Sequence, residues 1–133
     1  PEPFDFQLVS PERVLFSAQV EMVVVPGVEG NFGVLKGHSP LLSTVRPGVI
    51  DVYEKRTGIS SRIFVAGGFA EVTNERCTVL AEEASPLSEL DRAADEQLAK
   101  DLAEDLSAAS DAIEKRNIEQ RLAVVQERIK AAA

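Results

Sequence analysis

The single histidine, His38, is followed directly by Ser39, and a catalytic triad in this chain would have to use His38. In nucleophilic catalysis, a histidine takes the proton of a serine hydroxyl. This pair of residue types makes a hydrolase one hypothesis. The surrounding residues, Lys36-Gly-His-Ser-Pro-Leu-Leu42, predict a loop that enters a strand, and the nucleophile-elbow pattern of many hydrolases is missing. We therefore favour a structural or contact role for His38.

The other chemically active residue types predict no metal or phosphate site. Cys77 is the only cysteine, which excludes an internal disulfide and a cysteine-based zinc cluster and favours a small buried hydrophobe. Gly27, Gly30 and Gly33 recur every third residue, but no Gly-Lys-Ser/Thr follows, so they indicate tight turns. The acidic residues after position 88 lack the spacing of a calcium loop and are typical of a solvated helix face.

The charge of the chain excludes several classes of partner. It has 14 basic and 22 acidic residues, a formal net charge of −8, whereas nucleic acids and anionic lipids need basic partners. No apolar run approaches the roughly 20 residues that span a bilayer, and the first residues do not resemble an export leader. Residues 1–81 carry 7 basic and 9 acidic groups, whereas residues 82–133 carry 7 and 13.

Glycine, proline and aromatic residues divide the chain into two parts. All eight glycines lie at or before Gly68, whereas residues 87–133 contain no glycine, proline or aromatic residue and eleven alanines. In the first part, short runs rich in β-branched residues, such as Arg62–Val65 and Gly68–Val72, are separated by turn signals such as Pro26-Gly27. This pattern is typical of a β-sandwich or a barrel.

The second part predicts two helices. Ser88 or the Ser85-Pro86 pair offers a start signal for the first, and Ser110 is expected to cap the second. Two helices joined by a short polar break form an antiparallel hairpin, and the shortage of large apolar residues predicts a weak interface between them. We therefore predict a β domain over residues 1–85 and a helical hairpin over residues 86–133.

Two motifs resemble those of the epsilon subunit of F-type ATP synthase, which is called delta in mitochondria. The first runs from Pro26 to Gly48 and contains the family's Gly-x-x-Gly-x-x-Gly run, Gly-His-x-Pro-Leu-Leu and Pro-Gly at matching spacing. The second is Phe64-Val-Ala-Gly-Gly-Phe-Ala-Glu-Val72, in which a glycine pair leads into a strand ending in Glu-Val. The resemblance extends over nearly the whole chain.

The resemblance implies an α+β fold, with a flattened antiparallel β-sandwich of about ten strands followed by an antiparallel two-helix hairpin. It implies a central-stalk rotor subunit that has no active site, binds the gamma subunit and the c-ring, and couples proton flow to ATP synthesis. In some bacterial relatives the hairpin inhibits ATP hydrolysis, which implies contact with the alpha and beta subunits. The implied location is peripheral, on the cytoplasmic side of a bacterial inner membrane or, alternatively, on the matrix side of the mitochondrial inner membrane.

By resemblance, the c-ring and the gamma subunit contact loops at the bottom of the sandwich. The residues implied are Glu29, Gly30, Asn31, Phe32, His38, Ser39, Pro40, Leu41 and Leu42. Position 31 is often acidic in bacterial relatives, and Asn31 removes the charge that such a contact would use.

A second hypothesis is a nucleotide-sensing module, with regulatory ATP as its ligand. Some bacterial relatives bind ATP through an Ile/Leu-Asp-x-x-Arg-Ala motif at the start of the first helix. The nearest match is Ser88-Glu-Leu-Asp-Arg-Ala93, in which the first two residues depart from the motif. The residues implied are Glu89, Arg92, Ala93, Arg121 and Arg128, with Arg116 as a further candidate.

Overall fold

The computed structural model describes residues 2–132 as eight β-strands, a short 3₁₀ helix and two α-helices. The strands are β1 Phe4–Val9, β2 Val14–Val20, β3 Met22–Gly27, β4 Gly30–Val34, β5 Leu41–Thr44, β6 Gly48–Tyr53, β7 Ser61–Val72 and β8 Arg76–Pro86. The helices are the 3₁₀ helix Leu87–Glu89, α1 Arg92–Ala108 and α2 Ala112–Ala131. The predicted α+β class is confirmed.

All eight described strands belong to one sheet, in the order β2-β1-β8-β7-β6-β3-β4, with β5 paired to β7. The pairs are antiparallel except β1 with β8, which is parallel and departs from the antiparallel expectation. The described strands number eight rather than about ten. One reason is that Arg62–Val65 and Gly68–Val72, predicted as separate strands, are joined in the continuous β7.

The long strands β7 and β8 approach each other closely at Gly68. A Cβ atom on Gly68 would lie 1.7 Å from the carbonyl oxygen of Leu80, and its φ of +116° is a conformation that favours glycine. β7 pairs with β6 before this residue and with β5 after it. Gly68 therefore lies where β7 changes its pairing partner from β6 to β5.

A single apolar core is shared by almost all the strands. Phe4, Phe6 and Leu8 of β1 are buried, as the alternation of apolar and polar residues predicts. Val20 of β2 and Val34 of β4, from the two ends of the sheet, belong to the same core. The sheet therefore folds over this core as a sandwich does.

The α-helices begin at aspartates rather than at the predicted serines. The carboxylates of Asp91 and Asp111 cap α1 and α2, accepting main-chain N–H groups at 3.0 and 3.3 Å. Ser88 lies in the 3₁₀ helix and Ser85-Pro86 in β8, so both start signals were wrong. Ser110 was wrong by one residue, because the neighbouring aspartate offers a charged acceptor that the helix dipole favours.

The chain forms two compact units that divide between Leu87 and Ser88. The first contains the eight strands and the second contains both α-helices. Within residues 2–132, no helix combines the length and the apolarity that crossing a membrane requires.

Candidate functional site

The turn between β3 and β4 carries the first predicted contact residues, and Arg46 holds it in place. Nη1 of Arg46 donates to the carbonyl oxygen of Gly27 at 2.5 Å, and Nη2 donates to Oδ1 of Asn31 at 2.6 Å. The main-chain N–H of Arg46 also donates to the carbonyl oxygen of Pro26 at 2.9 Å. The segment between β5 and β6 therefore fixes both sides of the turn.

Strand β4, which follows this turn, lies at one end of the sheet order, and its pairing among the described strands is with β3. Glu29, Gly30 and Asn31 are exposed, whereas Phe32 packs partly against the core. The strand therefore presents polar and glycine residues along an open edge, where main-chain groups are available to a partner.

The loop of residues 35–40, beyond the other end of β4, is tied to neighbouring segments. The N–H of Gly37 donates to the carbonyl oxygen of Asn74 at 2.7 Å, and Nζ of Lys36 lies 3.0 Å from the carboxylate of Glu2. The hydrogen bond and the charge of Lys36 lower the pKa of Glu2, and Glu2 raises the pKa of Lys36 by the same means. The loop is therefore anchored at both a main-chain and a side-chain contact.

His38 makes its described contact with the main chain. Its Nδ1 lies 2.6 Å from the carbonyl oxygen of Ser39, and because a carbonyl only accepts, Nδ1 carries the hydrogen in this contact. The geometry thus shows a local loop contact and not the base–nucleophile pair of the hydrolase hypothesis.

The predicted contact residues follow an edge of the sheet rather than clustering in one place. Glu29 precedes β4, Ser39 and Pro40 follow it, and Leu42 lies in β5. Because a strand rises about 3.3 Å per residue, the five residues of β4 separate the contact residues before the strand from those after it by about 16 Å. We call residues 29–42 the edge segment.

An exposed apolar row crosses the outer face of four neighbouring strands, and the sequence motifs did not predict it. Phe69 of β7 is 53% exposed and pairs with Leu80 of β8, which pairs in turn with Val9 of β1. Val9 pairs with Val14 at the edge strand β2. Directly paired residues point to the same face, so these four residues form one surface, which we call the apolar row.

The apolar row adjoins the edge segment through β5. Thr44 of β5 pairs with Phe69, and Leu42, two residues earlier, points to the same face and is 70% exposed. The two surfaces of the first unit are therefore continuous.

In the second unit, an ion pair joins the two α-helices. Nη2 of Arg128 lies 2.8 Å from Oδ1 of Asp95, and its Nε lies 3.1 Å from Oδ2. The arginine and aspartate side chains are only 17% and 11% exposed. This bidentate geometry is the strong form of an arginine–carboxylate contact.

Two of the predicted nucleotide residues are held by carboxylates of α1. Arg128 is bound to Asp95, and Nε of Arg92 donates to Glu96 at 3.0 Å. Arg121 lies about 10 Å along α2 from Arg128. An open groove of about 540 Å³ is lined by Asp105, Ala108, Ala109, Asp111, Ile113, Glu114, Asn117, Ile118 and Arg121. Three carboxylates in this lining make it a poor receptor for phosphate.

Cys77 is buried in the core of the first unit, as expected. Burial raises the pKa of its thiol to about 12, so the thiol stays protonated and acts as a packing group. Among residues 2–132, no group of three or more His, Cys, Asp or Glu side chains is placed to hold a metal ion.

These features define a β-sandwich protein with a helical hairpin, whose exposed surfaces suit contacts with other proteins. The family described as "ATP synthase, Delta/Epsilon chain, beta-sandwich domain" matches residues 3–87. The chain belongs to this ATP synthase delta/epsilon family, as the two sequence motifs predicted.

Relatives extend the match beyond the sandwich. The ATP synthase epsilon chain of Rhodospirillum centenum is 55% identical over 132 residues, which cover 96% of this chain and 90% of that protein. The epsilon chain of Rhodospirillum rubrum is 64% identical over 89 residues, which cover 67% of this chain and 66% of its own length.

Two solved structures share the fold. A chain in the cryo-EM structure of the Euglena gracilis mitochondrial ATP synthase, OSCP/F1/c-ring in rotational state 1, has a TM-score of 0.86 at 21% identity and covers 100% of this chain and 83% of its own. A chain in the Tetrahymena thermophila mitochondrial ATP synthase central stalk and c-ring has a TM-score of 0.67 at 12% identity, covering 98% and 96%.

Proposed function

We propose that this chain is a central-stalk subunit of an F-type ATP synthase, which binds the gamma subunit through the apolar row and the c-ring through the edge segment. It couples rotation of the ring to ATP synthesis as a mechanical link and carries out no chemistry of its own. Family membership supports this role, as do the structures with the same fold, which come from assemblies described as containing a c-ring.

The apolar row is the observation that carries the proposal. A large aromatic side chain, Phe69, lies on the sheet surface next to Leu80, Val9 and Val14, and 53% of it is exposed. Contiguous apolar surface of this kind marks protein–protein interfaces, and aromatic anchors dominate their energetics. We assign the apolar row to the gamma subunit, because the shaft of the rotor is a permanent partner that would keep this apolar surface covered.

The edge segment supports the second half of the proposal. It is mostly exposed, it adjoins the apolar row through Leu42, and its turn and loop are each held by hydrogen bonds to other segments. Such a preorganised surface loses little conformational entropy on binding. The chain would thereby be attached peripherally to the membrane, on the cytoplasmic side in a bacterium, through its protein partners.

Regulation of ATP hydrolysis is assigned to the helical hairpin, which would reach the alpha and beta subunits. The Asp95–Arg128 pair supports a stable closed form of this hairpin. Direct ATP sensing finds less support, because Arg92 and Arg128 both have carboxylate partners.

Replacing Phe69 with Glu tests the gamma contact. A buried charge in place of an aromatic anchor should weaken binding of the purified gamma subunit about 30-fold or more, measured by isothermal titration calorimetry. Ile59→Glu is the matched control, because Ile59 is also exposed, at 45%, but lies in the loop between β6 and β7.

Equal affinity of the Phe69→Glu and Ile59→Glu variants for gamma would contradict the assignment of the apolar row. Circular dichroism of both variants checks that the exposed substitutions leave the fold intact.

A further inference from the structure

Two glutamates lie beside the apolar row, on the same outer face of the sheet. Glu71 follows Phe69 by two residues in β7, and Glu82 follows Leu80 by two residues in β8. Residues two apart in a strand point to the same face. Because Phe69 pairs with Leu80 and the two strands are antiparallel, the glutamates lie on opposite sides of the row. Each is about 7 Å along its strand from the row.

The neighbours of the two glutamates place both side chains at the rim of the row. A Cβ atom on Gly67 would lie 2.7 Å from Oε2 of Glu82 and 2.9 Å from its Cδ, so this carboxylate lies against the main chain of β7. Glu71 pairs with Leu42 of β5 on one side and with Thr78 of β8 on the other. Both glutamates are exposed. A partner that covers the row must therefore meet both carboxylates.

Other charges near the row occur next to a charge of opposite sign, whereas these two do not. Arg76 and Asp5 occupy paired positions of β8 and β1, and Glu12 and Arg13 are neighbours in the loop between β1 and β2. Among the ion pairs within residues 2–132, none includes either of the two glutamates. The surface beside the row therefore carries an excess of negative charge.

We propose that Glu71 and Glu82 are specificity residues of this surface, and that the gamma subunit presents Arg or Lys side chains on both sides of an apolar patch that covers the row. This inference rests on the proposed gamma contact of the apolar row. An ionised carboxylate only accepts hydrogen bonds, and its strongest partners are cationic side chains. Complementary charges at the rim of an interface accelerate association and exclude partners of the wrong charge.

The double variant Glu71→Gln/Glu82→Gln removes both charges and keeps the shape of the side chains. At about 10 mM salt, where charges act over about 30 Å, it should associate with the purified gamma subunit about tenfold more slowly than the unmodified chain. Surface plasmon resonance measures this rate, and the dissociation rate should change by less than about twofold. At about 1 M salt the two association rates should agree, because screening limits charges to about 3 Å.

Reversing the charges tests the sign of the partner. Glu71→Lys/Glu82→Lys should associate more slowly still, and added salt should speed its association with gamma, whereas salt should slow that of the unmodified chain. Glu54→Gln is the matched control for each single Gln variant, because it makes the same change in net charge. Glu54 is also exposed but lies in the loop between β6 and β7, so its replacement should leave the association rate nearly unchanged.

The outcomes distinguish this inference from the proposed function. If the unmodified chain does not bind gamma, the proposed contact is wrong and the inference falls with it. If it binds gamma and the double Gln variant associates equally fast at low salt, the glutamates have no part in recognition although the gamma contact stands. Faster association of the double Lys variant would mean that gamma is acidic here, and a deficit that persists at high salt would make the glutamates structural. Either result would overturn the inference.

Discussion

Gly68 shows how strongly one residue can constrain this sheet. Replacing it with Ala would place a methyl group 1.7 Å from the carbonyl oxygen of Leu80, at a φ of +116°. We expect the free energy of unfolding to fall by about 3 kcal/mol or more, because β7 and β8 must move apart at the centre of the sheet. Urea unfolding measures the change.

Gly33→Ala provides the comparison for this prediction. No atom lies within 4 Å of a Cβ built on Gly33, so its effect should stay within about 0.5 kcal/mol. Similar losses for the two variants would mean that the close approach at Gly68 is not what limits the sheet.

The Glu2–Lys36 pair predicts a pH dependence at the loop of the edge segment. The pKa of Glu2 is lowered in the folded chain, so its stabilising contribution is present above its ordinary pKa and is lost as the pH falls through the lowered value. The pKa of Lys36 is raised, so its contribution is lost only as the pH rises through that raised value. NMR titration of the Glu2 carboxyl should show the lowered pKa.

Lys36→Met should return the pKa of Glu2 to its ordinary range, whereas Lys55→Met should leave it lowered. A titration of Glu2 that does not respond to Lys36→Met would show that the ion pair is not formed in solution.

At this scale, residue types predicted some roles and could not predict others. Cys77 is the only cysteine and lies among strand residues, and this was enough to predict its burial. The contact between Arg46 and Asn31 could not be predicted, because it joins residues 15 positions apart that meet only when the β3–β4 turn lies beside the end of β5. The exposure of Phe69 and Leu80 likewise depends on their register, which composition does not reveal.

Among the elements, the helical hairpin has one largely buried ion pair. The buried apolar residues of its helices are Leu102 and Val125, and the Asp95–Arg128 pair is a further contact between the two helices. Asp95→Ala takes the carboxylate from a largely buried guanidinium and should destabilise the hairpin by about 3 kcal/mol. Hydrogen exchange of the amides of α1 and α2 measures this loss.

Two comparisons make the hairpin prediction specific. Glu96→Ala removes the partner of an exposed pair with Arg92 and should cost only about 0.5 kcal/mol. Exchanging the charges, with Asp95→Arg and Arg128→Asp together, should recover part of the stability. Recovery should be incomplete, because in the unmodified chain both charges suit the helix dipoles, with the aspartate in the first turn of α1 and the arginine in the last turn of α2. The exchange reverses both of these favourable placements. Unchanged exchange in Asp95→Ala would refute the role of this pair.

The elements were predictable in type but less so in their boundaries. The loss of glycine and proline after residue 86 indicated the helical part, because those residues disrupt helices. The predicted start of α1 was wrong because Ser88 and Asp91 are both good caps. In the structure Ser88 lies in the short 3₁₀ helix, and the Asp91 carboxylate accepts the N–H of Ala94. The two predicted runs in β7 were separated at Gly67, which ordinarily marks a break but here continues the strand.

For the whole molecule, the acidic charge is shared equally by the two units. Residues 1–87 and residues 88–133 each carry 7 basic and 11 acidic groups, so each unit contributes −4 to the net charge of −8. The apolar row and the edge segment both lie in the first unit. The motifs predicted the family and its fold, because they encode the tight turns of the sandwich. Predicting the exposed apolar row would have required the strand register as well.

The central claim is that this chain links the gamma subunit to the c-ring, and ATP-driven proton pumping in reconstituted vesicles tests it most directly. A complex assembled without the chain should hydrolyse ATP but pump few protons per ATP, and adding the unmodified chain or Ile59→Glu should restore tight coupling. Phe69→Glu should not restore it. Tight coupling in the complex that lacks the chain would contradict the account.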